Sequence, residues 1–166
     1  MATNSESKQA PGREKDPALP KLVKTRMLDA PRDLVFKAWV EPERLKVWWG
    51  PKGFTNPVCE VDPRPGGLIR IHMKAPDGTV YPMTGVYQEV VPPERLVFMS
   101  AALDKEGEPM FEVLNVVTFT AQGKQTKLTV EASVTTMTAA AAPYLAGMDE
   151  GWSLSLDRLA AFLSKQ

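Results

Sequence analysis

Asn115 carries the most pointed chemistry in the chain. Phe111, Val113, Val117 and Phe119 stand around it at two-residue spacing, so in a strand all five share one face. A primary amide held among apolar walls must find partners in protein, water or a ligand. It either braces a neighbouring loop or orients a molecule in a cavity. A second candidate is Trp48-Trp49-Gly50-Pro51, where two large aromatics stand beside a helix stop. They could pack in the core, plug the open end of a cavity or stack on a flat ligand. Near the C-terminus, Gly147, Gly151, Ser155 and Phe162 fall to one flank of the Leu/Trp stripe on a helical wheel, with Tyr144 beside them. Each glycine costs roughly 1 kcal/mol relative to alanine inside a helix, so two of them ask for a reason. Either a strand packs closely there, or the flank leaves room for a ligand, with Tyr144 and Ser155 as its polar handles. Tyr87, in an alternating segment, is a further hydroxyl that could set a ligand's orientation.

Other chemistries find less support. His72 is the single histidine and alternates with Arg70 and Lys74, a solvent-facing row with no zinc-type spacing. Cys59 is the single cysteine and reads as a small buried hydrophobe with no histidine partner. Glu60 and Glu89 would point inward only if their strands shift register at Pro57 or at a bulge. A carboxylate buried that way could act as a general base; otherwise both are surface groups. No nucleophile elbow, His-Asp pairing or phosphate loop is present. Met73, Met83, Met99, Met110 and Met148 fit either an adaptable apolar lining or ordinary core filling.

These residues need elements to position them. Lys21 to Leu28 alternates as a first strand. Pro31 suits the first position of a helix over about 31–40, with Asp29 or Ala30 as its cap, and Glu43 to Trp48 makes a second helical piece. Period-two alternation then predicts strands over 54–61, 68–74, 79–90 and 95–101, one through Phe111 to Phe119 and one through Thr126 to Val134. The spacing of Leu145, Met148, Trp152, Leu156, Leu159 and Leu163 predicts a single amphipathic helix over Pro143 to Lys165, about 33 Å long. Short connections make the strands an antiparallel meander, and one long helix is available to cover it. The economical packing is an α+β helix-grip fold, a curved antiparallel sheet wrapped around the C-terminal helix. One cylinder of side chains does not fill such a curve at native density, so a ligand cavity follows.

Composition narrows the partners. With 166 residues, 43% hydrophobic and 24% charged, the chain supports one globular domain, 21–166, behind a floppy tail, 1–20, that lacks the apolar core of a signal peptide. Twenty basic and twenty acidic residues cancel, and no basic run interleaves with aromatics, which argues against nucleic acid and anionic membrane. No apolar run approaches the ~20 residues of a membrane span, and a lone cysteine fits a reducing, cytoplasmic setting. Leu154, opposite the main stripe, hints at a homodimer contact.

Several segments in order carry a resemblance over about residues 21–165: TRMLDAPRDLVFKAWVEPERLKVWWGPKGF, CEVDPRPGG, MKAPDG, GVYQEVVPPERLVF, VTFT followed by GKQTKLTV, and EGWSLSLDRLAAFL. The chain resembles the activator of heat-shock protein 90 ATPase homologue family, within the SRPBCC (START and pollen-allergen-like) superfamily. The resemblance implies a helix-grip fold and a binder of hydrophobic small molecules, and related branches include aromatic polyketide cyclases. The eukaryotic co-chaperone of this family joins such a domain to a separate N-terminal domain, which a 20-residue tail is too short to be. The resulting expectation is a small aromatic, polyketide-like or lipid-like ligand held between sheet and C-terminal helix, without metal or cofactor. Its candidate contacts are Trp48, Trp49, Tyr87, Asn115, Tyr144, Gly151, Trp152 and Ser155. A cyclase- or hydrolase-type enzyme using the same cavity, and a co-chaperone-like ATPase activator, are the alternatives.

Overall fold

The computed structural model describes residues 19–166. The expected tail lies outside these residues up to position 18. At its end, Leu19 packs against Val113, Ala132 and Val134, and the Pro20 carbonyl accepts the Val134 N–H at 2.9 Å.

The strands are β1 (Lys21–Leu28), β2 (Thr55–Val61), β3 (Leu68–Lys74), β4 (Val80–Val91), β5 (Arg95–Leu103), β6 (Pro109–Gln122) and β7 (Gln125–Met137). They form one antiparallel sheet in the order β1-β7-β6-β5-β4-β3-β2, with β2 and β1 at its edges. Because β2 to β7 are consecutive hairpins, only β1 joins out of sequence, pairing with β7. Alternation decides the faces. Leu96, Val117 and Val130 lie across from one another in register, as do Phe98, Asn115 and Ala132, and all six are buried under the helices.

Helices α1 (Arg32–Val40) and α2 (Pro42–Trp48) follow β1 and close one end of the curved sheet. The cap of α1 is Pro31 itself, and neither Asp29 nor Ala30 serves. Its ring holds φ at −69° while ψ stays extended at 154°, and its carbonyl accepts the Leu34 and Val35 N–H groups at 3.0 and 3.1 Å.

At the C-terminus, the single long helix expected over Pro143 to Lys165 is instead two. A 3-10 turn (Ala139–Ala141) leads into α3 (Ala142–Ala146), and α4 (Met148–Leu163) follows. Pro143 sits in the first turn of α3, where its missing N–H does no harm. Gly147 leaves helical geometry at φ −96°, ψ 1°, so the chain pivots there and α4 spans only about 24 Å. Leu156, Leu159 and Leu163 are buried against the sheet, each contributing roughly 1.5–3 kcal/mol. Two exposed ion pairs join α4 to β1, Lys24–Asp149 and Arg26–Asp157, both at 2.6 Å. Exposed pairs contribute about 0–1 kcal/mol, so apolar burial positions this helix. Leu154 is half-buried. None of the described helices is long and apolar enough to cross a membrane.

Candidate functional site

The core is divided in two. A large cluster at the closed end is built on Trp39, Trp48, Leu96, Phe98, Val117, Phe119, Leu156 and Leu159. A small one gathers Val113, Ala132 and Val134 with Leu19, Leu22, Phe111, Leu145 and Met148. Between them lies a cavity of about 250 Å³. Its origin can be followed along two elements. The inward residues of β5 run Leu96, Phe98, Ser100, Ala102, and one row of α4 at four-residue spacing, read from its C-terminal end, runs Leu163, Leu159, Ser155, Gly151. Both taper from large to small toward the same region, and the volume their side chains lack is the cavity.

Asn115 lines this cavity and is 2% exposed. Its Nδ2 donates to the Ser100 hydroxyl oxygen at 2.9 Å and approaches the carbonyls of Val113 and Phe98 at 3.2 and 3.3 Å. Two carbonyl partners settle which way the amide faces. Among the described residues no donor reaches its Oδ1. Ser155, also on the wall, spends its hydroxyl hydrogen on the Gly151 carbonyl at 2.9 Å.

All four tryptophans meet in one network at the closed end. Trp39 touches Trp48, Trp49 and Trp152 with ring centroids 4.8, 6.1 and 6.2 Å away, and Trp49 meets Trp152 at 5.7 Å. Trp49 and Trp152 face the cavity. Trp48 does not line it, although the sequence offered it as a contact. As the last residue of α2 it points into the core, fully buried, with its Nε1 donating to the Ala38 carbonyl at 2.9 Å. Trp49 follows the helix, turns extended at φ −63°, ψ 133°, and so faces the other way. Arg158 of α4 holds this turn. Its guanidinium donates to the carbonyls of Val47, Trp49, Gly50 and Pro51 at 2.7, 3.2, 3.0 and 3.0 Å. Those carbonyls lie at and beyond the negative end of α2, a natural seat for a cation. The Trp49 carbonyl also accepts from Asn56 Nδ2 at 2.8 Å, and the Pro51 carbonyl from the Phe54 N–H at 3.1 Å. Partial burial pulls the guanidinium pKa below its usual range.

Tyr87 is likewise not at the cavity. It is 3% exposed, packs edge-on to Phe98 at 6.1 Å and borders a separate, water-sized void of about 10 Å³. Burial raises its pKa, so the hydroxyl keeps its proton and is a poor base. Tyr144 stands at the rim, 41% exposed, with its ring 6.2 Å from Tyr81 and 6.4 Å from Phe111. The α4 flank is only partly as expected. Gly151 and Ser155 line the cavity, Gly147 does not, and Phe162 packs on the main core. Met148 and Trp152, read as part of the stripe that grips the sheet, are cavity wall. Of the five methionines considered, Met73, Met83, Met110 and Met148 line the space, and Met99 does not. Sequence reasoning passed over Ser100, Ala102 and Tyr81; the shrinking series along β5 was the signal that could have found the first two.

The carboxylates stay outside. The bulge in β4 between Tyr87 and Glu89 inserts Gln88, which turns Glu89 to solvent where it pairs with Arg95 at 3.0 Å. Glu60 pairs with Arg70 on the outer face at 3.2 Å. Among the described residues, no Asp, Glu, Lys, Arg or His lines the cavity. Among the described residues no group of three or more His, Cys, Asp or Glu could hold a metal ion.

Cys59 is half-buried, and burial, its largest influence, pushes the thiol from 9.0 up to about 11. The folded protein therefore holds this proton more tightly than the unfolded chain, and stability falls as pH rises from about 9 through 11. Alkylation by iodoacetamide at pH 8 should be slow on the folded protein and fast in denaturant. Equal rates in the two states would refute the burial of this thiol.

Comparison with known proteins agrees with this architecture. A protein of solved structure from Nitrosomonas europaea is 32% identical, over 87% of this chain and 94% of its own, with a TM-score of 0.75. One from Mycobacterium smegmatis is 27% identical over 86% and 90%, with a TM-score of 0.73. Another, from Chromobacterium violaceum, is 27% identical over 86% and 96%, also at 0.73. No curated protein matches. The family model described as Activator of Hsp90 ATPase homolog 1-like protein matches residues 29–164, from the turn after β1 to the end of α4. A match that long, over a sheet and helix arranged as in these relatives, means that the chain belongs to the Activator of Hsp90 ATPase homolog 1-like family.

Proposed function

We propose that this protein binds a small, uncharged, largely apolar molecule between the sheet and α4, in a cytoplasmic setting that its unpaired thiol supports. The observation that carries the reading is a cavity of about 250 Å³ with aromatic, methionine and aliphatic walls and, among the described residues, no Asp, Glu, Lys, Arg or His. Apolar surface buried there contributes about 25 cal/mol per Å², and few polar groups remain to fix orientation. An engineered void of ~150 Å³ accepts benzene, so this one suits a molecule of about two fused rings better than a long acyl chain.

The family's name points to an ATPase, whereas an apolar cleft between sheet and helix supports a ligand. Acid-base catalysis of the cyclase or hydrolase kind would draw on the cavity wall, where the ionisable side chains are the hydroxyls of Tyr81 and Tyr144. A thermal-shift and calorimetric titration with naphthalene as the simplest probe tests the binding reading. At a hundredfold excess over Kd, binding adds about 2.7 kcal/mol, a rise in Tm of roughly 5–10 °C for a domain of this size. Neither heat nor a shift at the solubility limit, for naphthalene and for other bicyclic aromatics, would overturn it.

A further inference from the structure

One polar corner of the cavity is built from two side chains. Asn115, on β6, has both amide hydrogens engaged by the Ser100 hydroxyl oxygen and backbone carbonyls, which leaves Oδ1 without a donor among the described residues. Ser100, opposite Val113 on the neighbouring strand β5, accepts from that amide, and among the described residues its own hydroxyl hydrogen has no acceptor. Both residues line the cavity, and Asn115 is 2% exposed. An unpaired acceptor and an unpaired donor thus stand side by side on a largely apolar wall, whose other polar side chains are Ser155, engaged by the Gly151 carbonyl, and Tyr81 and Tyr144. Asn115 Oδ1 opens onto the cavity, so a ligand that displaces solvent from it without donating a hydrogen bond leaves it unmatched, and one that donates is favoured.

We infer that the cavity selects a neutral bicyclic aromatic bearing a phenolic hydroxyl, which donates to Asn115 Oδ1 and accepts from the Ser100 hydroxyl. The inference rests on the binding reading above and adds the group that is recognised. A hydroxyl is the smallest group that both donates and accepts, which matches this pair. A carboxylate fails on two counts. It cannot donate to Oδ1, and it would bring a charge into a space where no cation stands on the wall among the described residues. A bare hydrocarbon leaves both protein groups unpaired.

Isothermal titration of the native protein with 2-naphthol, 2-fluoronaphthalene and 2-naphthoate separates these cases, since the three share one ring system. The expected order is 2-naphthol about tenfold tighter than 2-fluoronaphthalene, with 2-naphthoate weakest. Ser100→Ala keeps the volume nearly constant and should cut the naphthol advantage over 2-fluoronaphthalene several-fold. Asn115→Ala should abolish that advantage, and if this variant does not fold, the native series and Ser100→Ala still decide. Equal affinities for naphthol and fluoronaphthalene would overturn the polar corner while leaving apolar binding in place. Naphthoate binding tightest would overturn it in favour of an anion site, and no binding by any of the three would remove both readings.

Discussion

Trp48→Ala is expected to destabilise the protein by about 3–5 kcal/mol, the range for deleting a fully buried aromatic side chain. Trp48 is 0% exposed, meets Trp39 edge-on at 4.8 Å and Trp49 at 5.6 Å, and ties α2 to α1 through the Ala38 carbonyl. Removing it leaves a void in the aromatic network, against Trp39 and Trp49, and an unpaired carbonyl beside it. Ligand affinity should fall as well, although Trp48 touches no ligand, because Trp49 on the cavity wall leans on its ring. Denaturant unfolding measures the first effect and titration of the surviving folded fraction the second. Trp48→Phe, which keeps an aromatic but loses the N–H, should recover most of the stability. A loss under about 1 kcal/mol for the alanine variant would mean that the closed end of the sheet is held in some other way.

The second large effect is on binding alone. A Cβ built on Gly151 meets nothing within 4 Å, and the residue lies on the cavity wall in the first turns of α4. Gly151→Ala should therefore stabilise the fold, by about 0.5–1 kcal/mol from helix propensity, and leave naphthalene binding nearly intact. Gly151→Trp places an indole in the space the ligand needs. It should weaken binding by more than about a hundredfold while the fold persists, because the new ring enters a void instead of a packed interior. Native affinity in a folded Gly151→Trp variant would show that the ligand sits elsewhere. A destabilised Gly151→Ala would show that the apparent space is needed by the protein itself.

Much of this architecture was legible in the sequence. Strict alternation from Leu68 to Lys74 and from Thr126 to Val134 defines faces, since a strand's side-chain period is two. The pairing of β1 with β7 was not, because strand order depends on contacts between segments far apart in the chain. The C-terminal helix misled for a local reason. The apolar spacing from Leu145 to Leu163 runs through Gly147 without a break, and periodicity does not register a single residue leaving helical geometry. Trp48 and Trp49 show a different limit. Two adjacent residues of one type diverge by about 100° on a helix, and which of them faces the core depends on where the helix stops. Asn115 was the clearest sequence clue to the cavity, because a polar group in an apolar row demands partners wherever the row is buried. Its neighbour Ser100 drew no notice, being an ordinary small residue until Phe98 and Ala102 are seen on either side of it along the same face.

The tryptophan network also gives the molecule an optical property. With each indole 4.8–6.2 Å from another, excitation absorbed by any of the four passes readily among them. The protein's ultraviolet emission is then one pooled signal, and Trp49 and Trp152 expose that pool to whatever enters the cavity. A guest that quenches either ring darkens all four, so the fold carries its own fluorescent reporter of occupancy.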